Sequence, residues 1–228
     1  YLVAADGIYS KTKKILFENH ALPKYFNSIA LRGKINNFND YDISIYLGSN
    51  FHFVIYPVNQ NNEFNFILVV RKKLPQDKIL NEKLLNDSNF INNIINDVTL
   101  NSKINLADIL KEIKCFPIFV SKKIKLPKSK NIFLIGDAFY SFPPSFAQGA
   151  SQSIEAASDL LNSLENDSVN YYKKRVIKTK QINFRSSLNH FAFHLSNPLN
   201  IFFRDIFLKR LVKNQKFLES YLGKIYRN

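Results

Sequence analysis

Three short stretches carry residues whose types and spacing could do chemistry. In the first, an apolar run from Asn131 to Ile135 stops at Gly136-Asp137. A loop with Pro143 and Pro144 follows, and Ala147-Gln148-Gly149-Ala150 opens a helical pattern. A helix N-terminus offers unpaired N–H groups and the positive end of the dipole, a place for an anion or for a carbonyl gaining negative charge. Gly149 would let a ligand come close to the backbone, and Asp137 could accept hydrogen bonds from the hydroxyls of a sugar-like chain. The second stretch, Ala4-Ala5-Asp6-Gly7, is again a strand end with an acid and a glycine. In the third, His52 and Tyr56 stand four apart in a run of β-formers, so both point to one face of a strand. A histidine titrates near neutral pH and can take a proton from a substrate. Each stretch also has a plainer reading: a capped strand–loop–helix connection, a common turn, and a His and Tyr satisfied within a sheet.

The elements that would position these residues can be read from periodicity. Residues 1–5 end a buried strand, and Ser10 caps a short helix over 11–16. Four runs, 28–33, 43–47, 51–56 and 63–70, are rich in β-branched and aromatic residues, with Asn- and Gly-containing turns between them. They predict an antiparallel sheet of about four strands. Residues 76–113 read as helical, with Ile91, Ile94, Ile95, Leu106, Ile109 and Leu110 on the apolar face. Cys115 to Val120 and Asn131 to Gly136 read as strands. Helices are expected over 149–164, with Ile154, Ala157, Leu160, Leu161 and Leu164 facing inward, and over 169–194. Asn197-Pro198 breaks the second, and a last amphipathic helix follows.

Composition bounds the class. The chain has 228 residues, 46% of them hydrophobic, which suits a globular fold and excludes a mainly disordered one. The formal charge of +14 comes from scattered lysines rather than a basic arm, which fits an AT-rich coding sequence as well as an anion-attracting field. One cysteine, Cys115, excludes an internal disulfide and a Cys-rich zinc site. His190 and His194 have a helical metal-binding spacing, but no acidic partner motif accompanies them, and no metal is expected. No apolar run is long enough to span a bilayer. The chain has no methionine and no targeting segment, and reads as a piece of a longer polypeptide.

Taken together and in this order, the Asp6-Gly7 and Gly136-Asp137 stretches resemble the Asp-Gly and Gly-Asp motifs of the group A FAD-dependent aromatic-ring monooxygenases. The similarity extends to Ala30-Leu31-Arg32-Gly33, to the strand from His52 through Pro57, to the approach from Leu126, and to Phe193 through Pro198 with Arg204-Asp205. It is closest to the salicylate hydroxylase-like branch, with the p-hydroxybenzoate hydroxylase fold. Departures are Lys13 where the family usually has Arg, Phe139-Tyr140 where it often has Ala-His, and Ala147 where it often has Gly. The family's strand–G-x-G-x-x-G–helix unit is absent from these residues and is expected upstream.

The resemblance implies an α/β chain, α+β overall. Residues 1–20 would end the first FAD-domain segment, 21–120 form a β-sheet substrate domain with helices, 121–166 the second FAD-domain segment, and 167–228 the C-terminal helices. Asp137 would hold the ribityl chain of FAD, and Gly136, Pro144, Ala147, Gln148, Gly149 and Ala150 would border the flavin ring. Asp6 and Gly7 would lie near the pyrophosphate. His52, with Tyr56, would take the proton of a phenol, with Arg32 and Tyr46 as further pocket residues. The implied activity is hydroxylation of a small aromatic substrate by O₂ and NAD(P)H through a flavin hydroperoxide, in a cytoplasmic enzyme with no nucleic-acid partner. The piece alone would be inactive. A related FAD epoxidase, quinone-precursor hydroxylase or reductase keeps the same cofactor motifs. A non-catalytic basic module would not need them. The apolar stripe Phe202, Phe203, Ile206, Phe207 and Leu211 is expected to pack on the flavin domain rather than on a membrane.

Overall fold

The computed structural model describes residues 1–18, 22–35, 42–58, 63–100, 110–166 and 168–223. In chain order its strands are β1 (Leu2–Ala4), β2 (Lys24–Ile35), β3 (Ser44–Gly48), β4 (Phe51–Pro57), β5 (Phe64–Arg71), β6 (Leu110–Val120) and β7 (Ile132–Leu134). Its helices are α1 (Lys11–Phe17), α2 (Glu82–Leu85), α3 (Ser88–Leu100), α4 (Gly136–Phe139), α5 (Gly149–Asn166), α6 (Ser168–Phe193), α7 (Pro198–Leu211) and α8 (Gln215–Leu218). The chain divides into two compact units, one of residues 1–26, 119–190 and 208–228, the other of 27–118 and 191–207.

The second unit is built on the antiparallel sheet. Its strand order is β3-β4-β5-β2-β6. Period-two alternation puts Phe51, Phe53 and Ile55 of β4 on one face, with Leu31 of β2 and Phe66 and Leu68 of β5. Ile91, Ile94, Ile95 and Val98 of α3 close over that face. His52, Val54 and Tyr56 therefore point to the opposite face. The sheet has one strand more than the sequence predicts. Leu110, expected in a helix, opens β6, which pairs along the edge of the long β2 and satisfies its backbone groups. Pro117 is tolerated because β6 is the outer strand. Leu106 and Ile109 lie outside the described residues.

In the first unit β1 and β7 pair in parallel, Leu2 opposite Ile132 and Ala4 opposite Leu134. Two tyrosines of α6 occupy the other edge of β7. The Tyr172 hydroxyl accepts from Leu134 N at 3.0 Å and donates to Ile132 O at 3.0 Å, and Tyr171 donates to Leu134 O at 2.9 Å. Side chains thus satisfy backbone groups that a neighbouring strand would otherwise take. Both rings pack against the fully buried Phe133, Tyr171 edge-on and Tyr172 stacked. Of β1 only Ala4 is buried; Leu2 and Val3, expected inside, are exposed.

Helix α5 buries a face shifted from the one its apolar residues predict. Leu160 is buried and Leu164 packs beside it as expected, but Ile154, Ala157 and Leu161 are exposed, while Gln152, Ala156 and Asp159 point inward. The reason is Arg175 of α6, only 3% exposed. Its guanidinium donates to Glu155 Oε1 and Asp159 Oδ2, both at 3.2 Å, and to Gln152 Oε1 at 2.9 Å. Lys174 and Lys178 close the network on Asp159 and Glu155. A buried charge of this kind must be paired, so the ion network overrides the apolar stripe. Arg175→Ala is expected to cost about 3 kcal/mol, because it strands buried carboxylate oxygens. An unchanged urea midpoint would show that the network carries no stability.

Candidate functional site

The two acid–glycine stretches lie side by side, because β1 and β7 are parallel neighbours and both end there. Ligand sites in parallel α/β sheets gather at such carboxyl ends. Gly7 has φ +76° and Gly136 φ +56°, the left-handed region that favours glycine. A Cβ at Gly136 would also come within 2.7 Å of Ser153 Oγ, so this glycine lets α5 approach the turn closely. The stretch after Gly136, expected as loop, forms the single turn α4, with Asp137 in it.

Asp6 and Asp137 differ in what they can do. Asp6 Oδ2 accepts from Thr12 N and Thr12 Oγ1, both at 3.1 Å, at the start of α1. Burial raises its pKa, but hydrogen bonds from Ser10 and Thr12 outweigh that and hold it below the usual carboxylate value. Its carboxylate is thus engaged in the turn. Asp137 is exposed at its surface. The chain around it partly desolvates the carboxyl and raises its pKa, while the charge of Lys13 pulls it back.

Lys13 is the group that sequence reasoning passed over, noted only as standing where Arg is usual. It is 4% exposed. Ser10 caps α1 by accepting from Lys13 N at 2.8 Å, which turns the side chain inward. Nζ then donates to Phe139 O, the last carbonyl of α4, at 2.9 Å, and to Ser121 Oγ at 3.5 Å. Ser121 Oγ accepts from Ser141 N at 3.0 Å, so one ammonium ties the Asp-Gly helix to the C-terminal end of the Gly-Asp turn and the residues that follow it. Burial drives its pKa down to about 8, with Asp137 opposing. The sequence signal was present: a cap serine followed three residues later by a lysine that must face inward.

The loop into α5 is equally built. Pro144 starts a 3₁₀ turn, Pro144–Phe146, which ends in left-handed Ala147 at φ 51°, ψ 32°. Ala147 N donates to Pro144 O at 2.9 Å. Ser145 Oγ is 3.1 Å from His190 Nδ1, and Asn189 Nδ2 donates to Ser145 O, so α6 anchors the loop. Gln148 turns inward, its Oε1 accepting from Ser151 Oγ. Gly149 and Ala150 are exposed on the first turn of α5, and nothing occupies the space where a Gly149 Cβ would project.

In the second unit His52 is 4% exposed. Its Nδ1 lies 2.7 Å from His194 Nε2, and the ring meets Phe193 edge-on. Burial lowers its pKa to about 4, so it is neutral at neutral pH. Tyr56 is half-buried two positions along the same face. Tyr46 packs toward Phe53 on the core side, away from His52, and Arg32 stacks on Phe116 at 5.8 Å. His190 and His194 do not converge on a metal, since each has its own partner. Among the described residues no three His, Cys, Asp or Glu side chains cluster as metal ligands. Cys115 belongs to the core, its thiol pushed up to about 11 by burial.

No protein-family model matches the sequence, and no curated protein matches it. Solved structures do match. HpxO of Klebsiella pneumoniae, complexed with FAD and uric acid, superposes with a TM-score of 0.76 at 15% identity over 99% of this chain. A salicylate hydroxylase–substrate complex gives 0.66 at 16% over 86%. The 2,6-dihydroxypyridine-3-hydroxylase of Arthrobacter nicotinovorans gives 0.64 at 14% over 87%. This is the fold of the FAD-dependent monooxygenases. The chain spans 59%, 55% and 60% of those three proteins' lengths. No described helix is long and apolar enough to cross a membrane.

The buried ammonium has a measurable signature. Its folded pKa of about 8 lies below the ordinary 10.5, so between these values the folded state holds fewer protons than the unfolded one. Stability contributed here rises with pH through that window and is lost as pH falls through 8. Relative to Lys13→Met, the wild-type chain should gain thermal stability from about pH 8 to 10.5. A difference that stays flat across that range would mean the amine titrates as it does in water.

Proposed function

We propose that this chain carries the flavin-facing and substrate-sheet parts of an FAD- and NAD(P)H-dependent monooxygenase acting on a small aromatic substrate. The observation that carries the reading is the pair of parallel strand ends, Asp6-Gly7 and Gly136-Asp137, clamped by Lys13 beside the open first turn of α5, on a fold shared with flavin monooxygenases. The overall balance would be substrate, O₂, NAD(P)H and a proton giving hydroxylated substrate, NAD(P)⁺ and water.

The residues present fit the cofactor. Asp137 presents an exposed carboxylate for ribityl hydroxyls, with Lys13 favouring its charged form. Gly149 leaves open space at a helix end whose N–H groups favour negative charge. Gly136, Pro144, Ala147, Gln148 and Ala150 would shape the same wall, and Asp6 and Gly7 would contribute backbone near the pyrophosphate. When bound, FAD supplies the electron transfer from NAD(P)H and the activation of O₂. The domain assignment of residues 21–120 to the substrate follows from the same reading.

Asp137→Ala tests the cofactor role in the whole protein encoded by the gene. Removing a charge-assisted contact is expected to weaken FAD binding by about 1.5–3 kcal/mol, roughly tenfold to a hundredfold. A folded, colourless wild-type protein would refute the flavin reading. A yellow one with unchanged affinity in the variant would refute only the role of Asp137.

His52 is proposed as the acceptor of the substrate's phenolic proton, with Tyr56 beside it. The contact of its Nδ1 with His194 Nε2 holds the ring in place. Because His52 stays neutral to about pH 4, the acidic limb of hydroxylation should lie near that value rather than near 6.5. His52→Ala should slow hydroxylation by about 10²–10⁴, while reduction of the flavin without substrate changes much less. Stopped-flow measurement of the two half-reactions decides, since equal slowing of both would leave His52 a structural residue.

A further inference from the structure

His52 meets a second histidine from far along the chain. His194 follows the last residue of α6, and its backbone N–H closes the helix on Phe191 O at 3.3 Å. Arg204 holds the same helix end by donating to Ala192 O at 3.4 Å. Both histidines belong to the second unit and both are buried, 4% and 1% exposed. The residues across the sheet from His52, Leu47 on β3 and Val69 on β5, carry no polar side-chain atom. Phe193 meets the His52 ring edge-on. The 2.7 Å between His52 Nδ1 and His194 Nε2 is a hydrogen-bond distance, so one of these two nitrogens carries the hydrogen between them.

Which nitrogen carries it decides what His52 can do. With the hydrogen on His194 Nε2, His52 Nδ1 accepts it, and a neutral His52 must keep its own hydrogen on Nε2. No lone pair then remains to take a substrate proton. With the hydrogen on His52 Nδ1, His194 Nε2 accepts, and His52 Nε2 keeps a lone pair that can act as a base. We propose that His194 is a positioning residue for hydroxylation, its Nε2 accepting from His52 Nδ1–H so that His52 Nε2 receives the phenolic proton. The proposal rests on the reading of His52 as the proton acceptor. In this step the phenol O–H bond breaks, the proton bonds to His52 Nε2, and the electron pair stays on oxygen as the phenolate. His52 becomes an imidazolium, and its Nδ1–H remains bonded to His194 Nε2, a hydrogen bond that the new charge strengthens. His194 thus acts through His52, holding it in the one tautomer that suits the reaction.

The test uses the whole protein encoded by the gene, with its histidines labelled with nitrogen-15. Proton–nitrogen correlation spectra at neutral pH show which ring nitrogen of each histidine carries hydrogen, and spectra of His52→Ala and His194→Gln assign the signals. His52 is expected to carry its hydrogen on Nδ1, with His194 Nε2 bare. This is read on the wild-type protein, so the proposal stays decidable even where a variant fails to fold. Loss of the acceptor in His194→Leu should slow hydroxylation about tenfold to a hundredfold, while reduction of the flavin without substrate keeps its rate. His194→Gln, whose amide oxygen can stand where Nε2 was, should recover most of that loss, which a role in packing alone would not predict. Hydrogen on His52 Nε2, wild-type hydroxylation in His194→Leu, or a His194→Gln variant as slow as His194→Leu would overturn the role of His194 alone. A colourless wild-type protein, or equal slowing of both half-reactions in His52→Ala, would overturn the underlying reading and this role with it.

Discussion

The arrangement rests on a desolvated ammonium. Lys13 is the point where chain segments distant in sequence meet, one ending in Asp6-Gly7 and the other in Gly136-Asp137. Taking a charge out of water is costly, and the protein offsets that cost with Phe139 O, Ser121 Oγ and the field of Asp137. An arginine would reach the same carbonyl with a charge that burial cannot remove. A lysine there makes the clamp sensitive to proton activity in a range where arginine would be indifferent.

From that clamp outward, the first unit is organised by polar groups as much as by apolar ones. Arg175 sets the rotation of α5 about its axis, and so fixes which residues its first turn presents. Tyr171 and Tyr172 set the distance of α6 from β7. Ser145 and His190 hold the proline loop. The second unit is the reverse case, a sheet of alternating aliphatic and aromatic residues closed by α3, in which two of the buried polar side chains, His52 and His194, meet each other.

How far the sequence could be read follows from this difference. The sheet strands were legible because one face is apolar and the period of two survives in the residue order, as in Phe51, Phe53 and Ile55. The strand–glycine–acid stretches were legible because their residue types are unusual and recur. Part of the face of α5 was misread, Ile154 and Leu161 being exposed although Leu160 is buried as expected, because Arg175, which pairs with Glu155 and Asp159, lies on another helix. Cys115 to Val120 was legible as a strand, but its start at Leu110 and its place beside β2 were hidden, because pairing with β2 is a long-range event that local pattern does not record. Ser145 and His194 were missed as partners for the same reason: each meets its counterpart from far along the chain, and nothing near them in sequence names it.

The tyrosine pair on β7 also gives the small parallel sheet a direction. A strand edge with bare N–H and C=O groups invites another strand. On β7 that edge is closed, because the Tyr172 hydroxyl acts as donor and acceptor at once and Tyr171 takes the remaining carbonyl. Growth of this sheet is therefore one-sided: a further strand can join only along β1, where Leu2 and Val3 already face outward.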